Sequence, residues 1–353
     1  MSDQRVALVT GGARGLGRSH ALALSARGDA VVVVDTGAGL DGTGGDPSAA
    51  EAVAAEIRAA GGTAIAASTD VATHEGAAAA VDRALTEFGR LDALVANAGI
   101  LRDRTFAKMP LDDFDAVVRV HLSAAAYCAK AAWPSLVASG TGRVVFTSSA
   151  SGLYGQFGQA NYAAAKMGLV GLANVLAQEG TRAGLRVNAI APVAATRMTE
   201  PLLSPAALRG LAPELVSPLV AHLASADCRQ SGLVLEVGGG RVARVQVVES
   251  DLVELPADDA GHVYHMYVVR TSERERIAAA LKEADIGCAS YYVTPLHLQP
   301  VFASLGYREG SLPETEKAAR ENLALPLWAG IGAVEQEQIV ERVLASAIVE
   351  ARS

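Results

Sequence analysis

Over the first 190 residues, short β-branched runs alternate with Ala-rich stretches, and this alternation constrains the fold more than any other feature. Strands are expected at Val6–Thr10, Ala30–Asp35, Thr63–Ser68, Ala93–Ala96, Arg143–Ser148 and Arg186–Ile190, with one more at Leu233–Val237. Helices are expected at Gly15–Arg27, Ser48–Ala60, His74–Phe88, Leu111–Ala138 and Asn161–Arg182. Strands that are apolar throughout are buried on both faces. Strand–helix alternation then gives right-handed crossovers and a parallel sheet with helices on both sides. The expected class is α/β with a doubly wound parallel sheet.

The pattern stops after Val248. An acidic stretch over residues 251–261 is expected to be a linker between a first domain, 1–250, and a smaller α+β domain, 262–353. In the second domain His262–Arg270 alternates as a strand, and Ser272 is placed to cap a helix over Glu273–Ala284. A strand at Cys288–Val293, a helix from Pro313 to Leu323 and a last helix from about Val334 to Glu350 complete it.

Half the residues are hydrophobic, enough for a sizeable core. The net charge of −8 and the lack of a dense Lys/Arg run argue against nucleic-acid or anionic-membrane partners. Three scattered cysteines, Cys128, Cys228 and Cys288, are not a disulfide framework. With no signal-like N-terminus and no long apolar run, a cytoplasmic location without membrane contact is expected.

Val6–Thr10 runs into Gly11-Gly12-Ala13-Arg14-Gly15-Leu16-Gly17 and then a helix. Glycines let the backbone approach a pyrophosphate, and the helix N-terminus meets its charge with free N–H groups. An ordinary tight strand–helix loop is the alternative for such a run. Asp35, 18 positions after Gly17 at the end of the next strand, tells the two apart, because a Rossmann-type dinucleotide site places a ribose-binding carboxylate there. Asp35 favours NAD and repels the 2′-phosphate of NADP. Arg14 would favour the phosphate, but it lies in a loop where it can point to solvent.

Tyr162 and Lys166 are four residues apart, so their side chains share one helix face. Oxidising an alcohol requires a base for the hydroxyl proton, and a free phenol is a poor one at neutral pH. A nearby ammonium favours the phenolate. Ser149, at the end of a central strand, can donate to the substrate oxygen as charge develops there. No metal is expected: His262 and His265 point to opposite faces of a strand, and His222 and His297 have no ligand set near them in sequence.

Thr10–Gly17, Asp70-Val71, Asn97-Ala98-Gly99, Ser149 and Tyr162-Ala-Ala-Ala-Lys166 together resemble the short-chain dehydrogenase/reductase family over residues 1–250. Asn97–Met109, Ile190–Met198 and Glu236–Gly240 resemble the 3-hydroxyacyl-CoA dehydrogenase part of peroxisomal multifunctional enzymes. The resemblance implies Asp70 and Val71 beside the adenine, Asn97 with Ala98 and Gly99 beside the ribose and the cofactor's backbone, and Thr196, after Pro192, near the nicotinamide amide. It also implies an Asn on the long central helix, where this chain has His121. Two readings of His121 stay open, a place on the proton path and a structural core histidine.

Residues 262–348 resemble the small C-terminal domain of PLP-dependent sugar aminotransferases, through His262–Arg270, Pro295–Pro300 and Leu305–Gly310. The large domain with the Schiff-base lysine is missing, so no PLP is expected. This tail is either an accessory module or a remnant of a gene fusion.

The leading expectation is an NAD-dependent enzyme interconverting a small-molecule secondary alcohol and ketone, of 3-hydroxyacyl thioester type. Two alternatives stand beside it. One is a dehydrogenase, epimerase or aldol-type catalyst with retained NAD in aminosugar or aminocyclitol antibiotic biosynthesis. The other is a non-catalytic, cofactor-bound scaffold for an aminotransferase. Ala on several faces of Leu111–Ala138 and Asn161–Arg182 suits helix packing between subunits. A homodimer or homotetramer is therefore expected, and light scattering at micromolar concentration checks it.

Overall fold

The computed structural model describes residues 4–196, 210–247, 255 and 266–347. The chain divides into two compact units, Met1–Gln246 and Val247–Ser353. The segment 251–261, expected as a linker, lies outside the described residues except for Leu255.

Among the described residues, the first unit is built on one sheet of eight strands. They are β1 (Val6–Thr10), β2 (Ala30–Val34), β3 (Ala64–Ala67), β4 (Ala93–Ala96), β5 (Arg143–Thr147), β6 (Arg186–Pro192), β7 (Val234–Gly238) and β8 (Arg241–Val245). Their order is β3-β2-β1-β4-β5-β6-β7-β8, with every pair parallel up to β7. β8, which the sequence reading missed, returns antiparallel, with Gly238 opposite Arg241. Gly239 and Gly240 turn this hairpin at φ +56° and +77°, where only glycine is unstrained.

Period-2 alternation divides each strand between two cores. On β1, Val6 and Leu8 pack with α3 (His74–Phe88), α5 (Ala124–Ala138) and α7 (Ala160–Gly180). Ala7 and Val9 pack with α1 (Gly15–Ala26), α2 (Ser48–Ala59) and α8 (Ser217–Leu223). Residues buried on both faces explain the unbroken apolar runs that mark these strands. α3 shows how a helix is framed here. The Thr73 hydroxyl accepts from the Gly76 N–H at its start, Gly89 ends it in the left-handed region, and Ala77, Ala80, Val81 and Ala84 form its buried stripe.

The long helix expected at Leu111–Ala138 is not uniform. α4 (Leu111–Val118) passes through a π-turn at Arg119–Ser123 before α5 begins. A π-turn is a tertiary accommodation rather than a propensity effect, and here it carries the clamped side chain of His121.

The second unit holds a two-stranded antiparallel sheet of β9 (Tyr267–Arg270) and β10 (Asn322–Leu325). Its helices include α9 (Arg274–Glu283), α10 (Pro313–Glu321) and α11 (Ala333–Ala347). Several expectations are corrected here. The N-cap of α9 is Glu273 rather than Ser272, because the Thr271 hydroxyl takes the Glu273 N–H. The strand expected at Cys288–Val293 reduces to one bridge, Ala289 to Ala324. The helix from Pro313 stops at Glu321, since Asn322 onward pairs with β9. His262 and His265 lie outside the described residues.

The turn from β1 into α1 is the tightest point of the fold. A Cβ on Gly17 would stand 1.9 Å from the Gly11 carbonyl oxygen, a main-chain atom that cannot move aside cheaply. Gly17→Ala is expected to destabilise the protein by about 1–3 kcal/mol through overpacking, read from urea unfolding.

Candidate active site

One cavity of about 480 Å³ opens along the carboxyl ends of β1 to β6. It gathers Gly11, Arg14, Gly15, Leu16, Asp35, Asp70, Val71, Asn97, Ala98, Gly99, His121, Ser149, Tyr162, Lys166, Pro192 and Thr196. Gly17 alone among the expected site residues stands behind the wall, as a spacer against Gly11.

At the end beside the glycine-rich turn, the lining is suited to an anionic, hydroxyl-bearing ligand. Arg14 gives α1 no side-chain cap, and the first turn has no acidic residue, so the positive end of the helix faces the cavity beside Gly15 and Leu16. Asp35 accepts from the Ala13 N–H at 2.9 Å on one oxygen and from the Gly37 N–H at 2.7 Å on the other. Each oxygen keeps further acceptor capacity for a ribose hydroxyl. Arg14 does not point to solvent. It donates to the Ala38 and Gly37 carbonyls at 3.1 and 3.3 Å.

Asn97 ties β4 to β1. Its side-chain amide donates to the Thr10 and Gly11 carbonyls at 3.3 and 3.2 Å. The Thr10 hydroxyl in turn accepts the N–H groups of Asn97 and Ala98 at 3.0 and 3.1 Å. Asp70 turns the chain after β3 by accepting the Ala72 N–H.

At the other end, Ser149 caps α6 (Ala150–Tyr154) by accepting the Ser151 N–H at 3.2 Å. Tyr162 and Lys166 come from the first turns of α7. The Lys166 ammonium donates to the Thr147 carbonyl at the end of β5 and stands 5.5 Å from the Tyr162 ring centre. Burial pushes Lys166 down to about 7. Burial also pushes the Tyr162 phenol up to about 12, the Asp103 carboxylate adding to the rise and a hydrogen bond with Ser149 opposing it. Here desolvation outweighs the Ser149 hydrogen bond.

His121 is 3% exposed, and burial with the nearby Lys166 charge holds its imidazole well below the usual histidine range. Its Nε2 lies 3.0 Å from the Ile100 N–H and 2.7 Å from the Ile100 carbonyl, while Nδ1 is buried without a hydrogen-bond partner among the described residues. Its ring meets Tyr162 edge to face at 5.0 Å. A Cβ on Gly99 would stand 2.3 Å from the imidazole, so the glycine is required by the histidine.

The sequence reading missed part of the wall. Thr36, Ala38, Gly39, Leu40, Gly42 and Gly44 form a strap between β2 and α2. The signal was present: five glycines fall between Asp35 and Ser48, in a connection longer than αβ units commonly use. Among the described residues, no group of three His, Cys, Asp or Glu could hold a metal, and no helix is long and apolar enough to cross a membrane.

With this fold and this cavity, the chain belongs to the short chain dehydrogenase family, whose model matches residues 5–206, and it is an oxidoreductase. Residues 244–344 match the DegT/DnrJ/EryC1/StrS aminotransferase family. The chain is similar to a short-chain type dehydrogenase/reductase of Mycobacterium tuberculosis, 50% identical, covering 70% of this chain and 87% of that protein. It is 46% identical to peroxisomal multifunctional enzyme type 2 of Mus musculus, covering 69% of this chain but only 33% of that enzyme. A short chain dehydrogenase from Mycobacterium avium superposes with a TM-score of 0.63 at 44% identity, covering 73% of this chain and 89% of that one.

The lowered Lys166 has a consequence for stability. Between about 7 and the ordinary 10.5, the unfolded chain holds a proton that the folded state has released. Stability from this group therefore rises with pH across that window, and its burial penalty acts in full below it. Lys166→Met is expected to raise Tm most below about pH 7, with the gain shrinking toward pH 10.5, in thermal melts across that range.

Proposed function

We propose that this chain is an NAD-dependent dehydrogenase interconverting a secondary alcohol and a ketone, with 3-hydroxyacyl thioesters as its substrate class. The observation that carries the reading is the convergence of Ser149, Tyr162 and Lys166 with Asp35 and the glycine-rich turn in one cavity. The thioester class is supported by the three stretches that resemble the 3-hydroxyacyl-CoA dehydrogenase part of multifunctional enzymes.

The dinucleotide, when bound, supplies the hydride chemistry. Gly11, Gly15, Leu16 and the N-terminus of α1 would hold its pyrophosphate, Asp35 its adenosine ribose, and Asp70 and Val71 its adenine. Asn97, Ala98, Gly99, Pro192 and Thr196 line the remainder, with Thr196 standing against Gly15. Ser149 orients the substrate oxygen. Tyr162 takes the hydroxyl proton in oxidation and returns it in reduction, and a protonated Lys166 stabilises the phenolate. His121 supports the Tyr162 ring from the side.

Asp35 decides between cofactors. A carboxylate about 4 Å from a phosphate charge, at an effective dielectric near 20, is opposed by roughly 4 kcal/mol before screening. Arg14 already serves two carbonyls and would have to leave them to meet a phosphate. NAD is expected to bind more tightly than NADP in parallel titrations; the reverse order would overturn this assignment.

No metal or PLP is assigned to the chain; Lys282 and Lys317 of the second unit are both exposed. A soluble cytoplasmic homo-oligomer acting on a small molecule completes the reading. The match over 244–344 keeps one second reading, an aminosugar or aminocyclitol alcohol as substrate. Turnover of 3-hydroxyacyl-CoA against aminocyclitol alcohols with NAD separates the two. In the substrate that turns over, Tyr162→Phe is expected to cut the rate by about 10²–10⁴ with cofactor affinity nearly unchanged. Near-normal turnover would exclude Tyr162 as the proton carrier.

A further inference from the structure

Ile100–Arg104 touches both ends of the cavity. On the adenosine side, the Leu101 N–H donates to the Leu40 carbonyl at 2.9 Å, and Arg102 Nε donates to the Asp41 carbonyl at 2.9 Å. Both acceptors belong to the strap between β2 and α2. On the catalytic side, the Arg102 carbonyl accepts from the Asn161 amide at 3.0 Å. Asn161 is fully buried, and its side-chain oxygen accepts the Tyr162 N–H at 2.8 Å. The Arg104 N–H donates to the Gly158 carbonyl at 2.9 Å, and Asp103 accepts from Gln159 at 2.6 Å. The second arm of the Arg102 guanidinium reaches Asp113 on α4 at 3.1 Å. One arginine thus links the strap, α4 and, through its own carbonyl, the residue that holds the catalytic tyrosine's backbone.

We propose that Arg102 is a positioning residue that couples the dinucleotide's seat under the strap to the placement of Tyr162. The proposal rests on the reading of the cavity as a dinucleotide site. Leu40 and Gly42 line that cavity, so a molecule held under the strap biases Leu40–Gly42. Arg102 passes the bias to Asn161 and so to the first turn of α7. The coupling is a free energy shared by two sites, so it acts in both directions. The Arg102 side chain has no place in the chemistry itself and does not line the cavity.

Hydrogen exchange on the whole protein, with and without NADH, tests this. In the wild type, NADH is expected to slow exchange in residues 11–17, in 100–104 and in 158–162 together. Arg102→Met keeps the aliphatic stem and removes both guanidinium bonds. It is expected to keep the protection at 11–17 and to lose about 5-fold or more of that at 158–162, within the usual range of coupling. Asp41→Ala leaves the main-chain acceptor in place, because the Asp41 side chain bonds Thr43. It is expected to keep the wild-type pattern, and loss of protection in this variant too would assign the effect to general damage of the strap and overturn the proposal. Even where Arg102→Met does not fold, one wild-type outcome overturns the coupling. Protection at 11–17 with none at 158–162 overturns the coupling while leaving the cofactor site standing. Protection at neither segment overturns both.

Discussion

The cross-tie between Asn97 and the end of β1 is the constraint on which the site depends. β1 is where the strand order reverses, with β2 on one side and β4 on the other. Crossovers leaving this point cover opposite faces, and a crevice opens between them outside the strand ends. Such a crevice exposes the last main-chain groups of β1 and β4, which must be satisfied. The Thr10 hydroxyl and the Asn97 amide do this with short side chains that leave the opening clear. The same bonds hold Gly11 against Ala98, and a Cβ at Gly11 would stand 2.8 Å from the Ala98 Cα. The glycine-rich turn and the Asn97–Gly99 wall of the cavity are therefore set by one junction.

The end of the cavity at Ser149, Tyr162 and Lys166 is built on a different balance. Lys166 and Tyr162 are each driven toward their neutral forms by burial. The Lys166 ammonium stands 5.5 Å from the Tyr162 ring centre, where each charge, once formed, favours the other. The Thr147 carbonyl then decides where the ammonium sits, fixing it at the end of β5 on the Tyr162 side of the cavity.

Most of this was legible because burial on both sheet faces writes a strong signal. Val6–Thr10 and Ala93–Ala96 end where the runs of apolar residues end. The motif residues fall at strand ends, so chain order alone brings Asp35, Asp70, Asn97 and Ser149 to one edge. The π-turn at His121 was not legible, since it answers to Ile100, some twenty residues away in sequence. Nor was Arg102, whose neighbours Asp41, Asp113 and Asn161 converge only in space. The balance between desolvation and charge at Tyr162 also needed the burial of the site, which spacing does not carry.

The second unit shows the same limit from the other side. Its core is small, with Val269, Ile277, Leu281, Leu323, Ile339, Val343 and Ala347 at its centre. A two-stranded ribbon is marginal alone, so β9 and β10 depend on that core for their stability. A polar knot adds definition. Buried Glu316 takes the N–H groups of Gly310 and Leu312 and meets His297 at 3.1 Å, and these bonds hold its carboxyl below the usual range. Meanwhile Tyr292, Val301 and Leu305 are 70%, 74% and 65% exposed. Apolar residues on the surface and a carboxylate inside invert the pattern from which buried strands are read. That inversion is why Cys288–Val293 looked like a strand and formed a single bridge instead.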